Sequence, residues 1–203
     1  MRKILLLVLE CMAVSGCAHT IAFHDQDESW HYSVGEEQQD AALLIVITEE
    51  TLKQQESTRA FSTGVIHRWD AQPGRMLKQV ADVELPQMVQ HYQSATTYRE
   101  SEAGKRRLTL ELSVDQYDFK DFHATVEVHA RAYGPGRTLI FDKRYAGTGS
   151  NEGGKMFGLG AFGMKSAIRQ SSLAAYKQAF TGLRKDLRRA LESPAGAPRS
   201  PGD

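Results

Sequence analysis

The chain has 203 residues, of which 41% are hydrophobic and 25% are charged. This composition is typical of a globular protein and excludes a mainly disordered chain or one with many membrane spans. The 25 Lys and Arg residues balance the 25 Asp and Glu residues, which argues against nucleic-acid binding by net charge. Two cysteines are too few for a disulfide-rich scaffold or a four-cysteine zinc module.

The first 17 residues have the order of features found in a bacterial secretory signal. Residues 2–3 are basic, residues 4–9 are apolar, and the tripeptide Val-Ser-Gly at 14–16 precedes Cys17. The apolar stretch is too short to span a membrane. Residues 14–17 resemble the bacterial lipobox, in which the cysteine thiol receives a diacylglyceryl group and cleavage occurs before it. Cys17 is therefore the predicted lipidation site, and a plain cleaved signal with an ordinary thiol is the alternative.

The next segment, residues 17–40, is polar and acidic and has little apolar periodicity. It is predicted to be a tether, with one short strand as an open alternative. Residues 41–192 form the predicted folded domain. Residues 193–203 are rich in Pro, Gly and Ser, which predicts a disordered tail.

The domain begins with an apolar run at 41–48 that predicts a buried strand. A second strand is expected within 64–69, after an ambiguous stretch that starts at residue 58. The apolar spacing over 75–92 predicts a helix, in which Pro86 marks either a kink or the junction of two short helices.

Alternating apolar residues then predict three antiparallel strands. The first covers 108–119, with a β-bulge at Asp115-Gln116 because the apolar parity changes there; the second covers 122–130, and the third 138–146. Apolar residues at helical spacing predict the last helix over 166–191. The order of elements predicts a single α+β domain, an antiparallel sheet with two helices packed on one face.

A glycine-rich apolar segment at 151–165 lies before that helix. Met164 stands between Gly163 and Lys165, so the segment misses the phosphate-binding motif by one residue, and no nucleotide or other cofactor is predicted. Two roles stay open for its side chains: a connector that packs on the sheet, or an exposed contact loop. The residues predicted for contact are Phe157, Leu159 and Phe162.

The remaining polar groups predict no catalytic residues and no metal site. Asp115, Asp118, Asp121 and His123 cluster near a turn, but strand alternation sends their side chains to different faces. His129 lies at an outward strand position, and no G-x-S-x-G motif is present. We therefore do not expect an enzyme.

Charge is segregated along the chain, since residues 25–56 are acidic and residues 165–192 are basic. The basic face of the last helix is either a solvated surface that the acidic tether partly neutralises, or a docking face for anionic lipid or an acidic partner.

The complete pattern resembles the small envelope lipoproteins of Gram-negative bacteria, in particular the YajG-type and ABC-type transport auxiliary lipoproteins. Both are similar in topology to the N-terminal domain of TolB. The segments that carry the resemblance are Trp69 and Pro73 before a helix, the strands 110–114 and 126–130, and the ending 173–187.

The resemblance implies a non-catalytic adaptor in envelope assembly or lipid transport, anchored to the periplasmic face of the outer membrane. The absence of Asp after Cys17 favours the outer membrane by the same resemblance. The expected partners are the membrane, through the lipid, and another envelope protein. A periplasmic carrier or enzyme acting on lipid or glycan is the alternative.

Overall fold

The computed structural model describes residues 18–21, 23, 37–62, 65–98, 107–150 and 156–192. Side chains are described within these ranges except at 18, 59–67 and 156–162.

Eight strands and three α-helices make up the described part of the chain. The strands are β1 (Ala18–Ile21), β2 (Gln39–Val46), β3 (Glu56–Ser62), β4 (Val65–Ala71), β5 (Val89–Ala95), β6 (Arg107–Lys120), β7 (His123–Tyr133) and β8 (Leu139–Ser150). The helices are α1 (Glu49–Leu52), α2 (Pro73–Glu84) and α3 (Met156–Glu192), with short 3₁₀ turns at Pro86–Met88 and Pro135–Arg137.

The strands form two sheets. The larger sheet has the order β5-β2-β6-β7-β8, and the smaller sheet has the order β1-β4-β3. The large sheet buries one face under α2 and α3, which confirms a single α+β domain with two helices on one face. The sheet is mixed rather than antiparallel throughout, because β2 pairs in parallel with both β5 and β6. The small sheet was not predicted.

The strand β2 lies at the centre of this parallel part. Four successive residues from Leu43 to Val46 are buried, which fits a strand covered on both faces. The continuous apolar run therefore predicted burial correctly, but a single run does not tell which strands pair with it.

The predicted helix over 75–92 is wrong in its second half. α2 ends at Glu84, a 3₁₀ turn covers Pro86–Met88, and the chain then extends as β5 beside β2. Pro86 has no amide hydrogen and fixes its own φ angle, so the helix does not continue through it. The apolar spacing of Leu85, Met88 and Tyr92 fits a helix by coincidence.

The three predicted antiparallel strands are present as β6, β7 and β8. The register between β6 and β7 shifts between Val114 and Gln116, which confirms the predicted bulge. After the bulge Tyr117 and Phe119 face the core, as Leu112 and Val114 do before it. The turn between β6 and β7 places Asp121 and Phe122 at positive φ, as two-residue hairpins require.

The helix α3 approaches the large sheet unusually closely along β8. A Cβ atom at Gly147 would lie 2.0 Å from the carbonyl oxygen of Ala175, and one at Gly149 would lie 1.9 Å from that of Ser171. Glycine at both positions therefore lets the helix backbone contact the strand. The helix has 37 residues and is about 55 Å long.

Candidate functional site

Cys17, the predicted lipidation site, lies outside the described residues, but the residue that follows it is part of the fold. Ala18 begins β1, which pairs in parallel with β4 in the register Ala18–Arg68 to Ile21–Ala71. The amide of Gln72 donates to the carbonyl oxygen of Ile21 at 3.3 Å. The predicted lipidation site is therefore joined by one peptide bond to a strand of the small sheet.

Two buried side chains fix this N-terminal segment to the core. Ile21 is fully buried, and the ring of Phe23 lies edge-on to Tyr176 of α3 at 6.3 Å between centroids. The side-chain amide of Gln79 donates to the carbonyl oxygen of Phe23 at 3.2 Å. The predicted tether over 17–40 contains a short strand at Ala18–Ile21, the alternative that the sequence left open, and Phe23 also packs against the core. Residues 24–36 lie outside the described part of the chain.

The predicted contact loop also has a different backbone. Phe157, Leu159 and Phe162 lie in the first turns of α3, so the segment from Met156 onward is helical and not a loop. Their side chains lie outside the described part, and neither the contact role nor the connector role is tested. Met164, the first apolar residue of the helix with a described side chain, is half-buried against the core.

Two members of the predicted cluster near the β6–β7 turn, Asp115 and His123, have different hydrogen-bond partners. Asp115 receives a hydrogen bond from Arg144 at 2.7 Å, and His123 contacts the carbonyl oxygen of Asp121 through Nδ1 at 2.7 Å. Across the residues whose side chains are described, no group of three or more His, Cys, Asp or Glu residues is arranged to hold a metal ion.

The outward face of the large sheet carries a charge network that the sequence analysis missed. We call it the charged face, and its members are Glu111, Asp115, Glu127, His129, Arg131, Arg137, Asp142 and Arg144. Their side chains pair across β6, β7 and β8 at 2.5–3.7 Å. Arg137 lies in the turn between β7 and β8. Strand alternation placed the other members outward, but only the cross-strand register brings opposite charges together.

His129 lies at the centre of the charged face. Its Nε2 is 2.5 Å from Asp142 and its Nδ1 is 3.7 Å from Asp115. The hydrogen bond with His129 holds the pKa of Asp142 below its usual value. The Nε2 atom of His129 is therefore hydrogen-bonded to Asp142, and its Nδ1 atom lies near Asp115 but beyond hydrogen-bond distance.

The basic side chains of α3 find acidic partners within the fold. Arg184 donates to Glu84 of α2 at 2.8 Å, and both side chains are largely buried. Asp186 accepts from Lys143 at 2.9 Å and from Tyr145 at 2.8 Å. Part of the basic character of the helix is therefore neutralised by α2 and by its own Asp186, which also pairs with Arg189.

Buried polar groups join α2 and the large sheet to α3. The hydroxyl of Tyr176 donates to the carbonyl oxygen of Pro73 at 2.7 Å, and Tyr117 shares a hydrogen bond of 2.7 Å with Ser172. Burial raises the pKa of Tyr117 to about 12, although the bond to Ser172 acts in the opposite direction. These hydroxyls stay protonated at neutral pH and serve the packing of the core.

The two edges of the large sheet differ in their protection. β8 carries Lys143 and Arg144, and the side chain of Gln178 accepts from the amide of Thr148 at 2.7 Å. β5 contains no charged residue and no proline, and most of its side chains are exposed. Charged residues and covered amides are the usual protection against an added strand, so β5 is the more accessible edge in the described part of the molecule.

No described helix is long and apolar enough to cross a membrane.

Comparison with known proteins gives little further information. No family model matches the chain, and no curated protein matches it either. Among solved structures, a protein from Caulobacter crescentus CB15 described as a "putative lipoprotein" is similar over 61% of this chain and 87% of its own length. Its sequence identity is 16% and its TM-score is 0.37, a level of similarity that does not establish a shared fold or function.

Proposed function

We propose that the protein is a lipid-anchored envelope protein of the outer membrane, acylated at Cys17, and that its domain is a non-catalytic adaptor for another envelope protein. The main support for the anchor is the sequence Val-Ser-Gly-Cys at 14–17, directly before a folded strand. Ala18 and His19 follow the cysteine, and the absence of Asp there supports the outer membrane. The domain then lies on the periplasmic side.

The adaptor role rests on the exposed edge of β5. An extended segment of a partner gains backbone hydrogen bonds by adding to such an edge, and alternate side chains provide specificity. Gln90 and Gln93 of β5 are exposed and uncharged, so they impose no charge repulsion on an incoming strand.

Replacement of Cys17 tests the anchor. Cys17→Ala should move the protein from the membrane fraction to the soluble periplasm, because the thiol that carries the acyl chains is absent. Cys11→Ala is the matched control, since that residue is removed with the signal and should not change fractionation. If Cys17→Ala stays in the membrane fraction, the anchor lies elsewhere.

Site-specific photo-cross-linking in cells tests the adaptor role. A photoreactive residue at Gln93 in β5 should give one discrete adduct with an envelope protein, and the same residue at Arg144 in β8 should not. Substituting Gln90→Lys in the Gln93 probe variant should weaken that adduct, because a charge at the edge opposes strand addition. Equal adducts from both probes, or none from Gln93, would contradict this role.

A further inference from the structure

A hydrogen bond at the end of β5 shows which of its backbone groups face outward. The amide of Ile47 donates to the carbonyl oxygen of Ala95 at 3.0 Å, and Val46 is the register partner of Ala95. In a parallel pair, a residue turns both its N–H and its C=O to one neighbouring strand, and the next residue turns both away. Ala95 therefore faces β2, whereas Ser94 faces the free edge of the large sheet.

The same alternation continues back along β5. The register with β2 is unbroken from the pair Ala42–His91 to the pair Val46–Ala95, and β5 is the last strand of the large sheet. Tyr92 consequently presents its N–H and C=O at the free edge, as Ser94 does. No hydrogen bond from the backbone of another described segment reaches these groups. They fit the backbone of an extended polypeptide segment.

The side chains of these two residues lie on the helix side of the sheet. Tyr92 is the register partner of Leu43, which is buried under the helices, and its hydroxyl donates to Asp82 of α2 at 2.6 Å. Ser94 has the same parity as Tyr92. Residues of an added strand that pair with Tyr92 and Ser94 therefore also direct their side chains to the helix side, next to α2.

The helix α2 runs in the direction opposite to β5. At its start, a Cβ atom on Gly74 would lie 1.7 Å from the carbonyl oxygen of Thr51, in the short helix α1 that follows the end of β2. Just after its end, Pro86 accepts from the side chain of Gln38, which precedes β2, at 3.1 Å. α2 therefore runs against β2, and β5 is parallel to β2.

This direction places two cations of α2 beside the second half of β5. Because Tyr92 contacts Asp82, moving along β5 from Tyr92 to Ser94 leads back along α2 toward Lys78 and Arg75. These residues precede Asp82 at helical spacing and share its side of the helix. The side chain of Lys78 is 39% exposed. Arg75 is exposed and forms no ion pair within the described part of the chain.

The acidic residues of α2 do not neutralise these cations fully. Asp82 accepts from Tyr92 through one carboxylate oxygen and from Lys78 through the other. Glu84 bonds to Arg184 of α3. An ammonium group has three donors, so Lys78 can bind a second acceptor. Since β5 contains no acidic residue, the described charges beside its second half are positive in sum.

We propose that the segment which adds to β5 carries an acidic side chain at or next to the position paired with Ser94, and that Lys78 and Arg75 bind this carboxylate. The proposal rests on strand addition at β5 and specifies the chemistry of the partner, an extended protein segment with Asp or Glu on the helix side. The backbone bonds bind an extended segment of any sequence, whereas the cations select an acidic one.

Charge variants of α2 test this selection when they are combined with the photoreactive residue at Gln93. That residue points away from α2, because it is the register partner of Leu44 and has the opposite parity to Tyr92. Arg75→Glu and Lys78→Gln should each lower the yield of the adduct several-fold, and Arg75→Lys should preserve it. Lys185→Glu, on the exposed side of α3, controls for net charge.

Loss of folding would not account for this result. A glutamate in the first turn of α2 interacts favourably with the helix dipole, so Arg75→Glu should keep a wild-type melting temperature. Mass spectrometry of the adduct identifies the cross-linked segment of the partner, in which we expect Asp or Glu. Replacing that residue by Lys should restore the adduct of the Arg75→Glu variant.

The outcomes separate this inference from the adaptor role. If the Gln93 probe gives its adduct but the yield is the same in Arg75→Glu and Lys78→Gln, selection by these cations is overturned and the adaptor role stands. A cross-linked segment without Asp or Glu overturns it in the same way. If the Gln93 probe gives no adduct in the otherwise unchanged protein, both proposals are overturned.

Discussion

The two sheets bury residues in one core but are assembled in different ways. β6, β7 and β8 of the large sheet are consecutive in the chain and joined by short turns, and their strands have 11–14 residues. The small sheet combines a local β3–β4 pair with β1, a four-residue strand from the N-terminal segment. Its completion therefore depends on residues adjacent to the proposed lipidation site.

Trp69 of β4 and Phe180 of α3 show that this difference does not divide the core. Each side chain is 1% exposed, and both belong to the same hydrophobic cluster. The small sheet is thus a layer on the main core rather than a second domain. The predictions that follow test how far the two sheets behave as one unit.

The largest expected effect is from Phe180→Ala, which removes a buried ring between α3 and the large sheet. Loss of its burial and the resulting cavity should lower the free energy of unfolding by about 3–5 kcal/mol. Urea titration followed by circular dichroism measures this, and Lys185→Ala on the exposed side of α3 is the control. A single transition at all wavelengths is expected if the two sheets unfold together, and two separate transitions would contradict it.

A smaller loss is expected from Gly149→Ala, which tests the close contact between α3 and β8. The added Cβ would meet the carbonyl oxygen of Ser171 and the amide of Ala175 at distances too short for any contact, so the helix must move. We expect a cost of about 1–3 kcal/mol, or a melting temperature lower by roughly 2–4 °C for each kcal/mol. Thr148→Ala, at the exposed neighbouring position, should leave the melting temperature nearly unchanged.

The smallest effect concerns acid stability and compares one carboxylate from each sheet. The hydrogen bond with His129 lowers the pKa of Asp142, and those from Arg68 and Ser57 lower the pKa of Asp70. Both carboxyls therefore bind protons less readily when folded, so their stabilisation is present above about pH 3.9 and is lost as the pH falls below it.

Asp142→Asn and Asp70→Asn should each reduce the difference between urea midpoints measured at pH 7 and pH 3. The effect should be small because both carboxylates pair with partially exposed groups at the surface. If the difference between the urea midpoints at pH 7 and pH 3 is the same in both variants as in the wild type, these pairs do not contribute to the pH dependence of stability.

Local patterns in the sequence were sufficient for much of this fold. Alternating apolar residues identified β6, β7 and β8, and the change of parity at Asp115 identified the bulge, since strand period and burial are local properties. Helical spacing identified α3 from residue 166 onward. The lipobox at 14–17 is also a local signal, and it carries the proposed anchor without any tertiary information.

Tertiary structure decided the features that depend on pairing between distant segments. β5 is extended because it pairs with β2, and β1 is a strand because it pairs with β4. Buried backbone N–H and C=O groups need hydrogen-bond partners, and here the partners come from segments that are distant in the sequence. Register brought His129 between Asp115 and Asp142. The sequence by itself determined that Cys17 is the candidate anchor; only the pairing of β1 with β4 showed that the residue after it belongs to the small sheet.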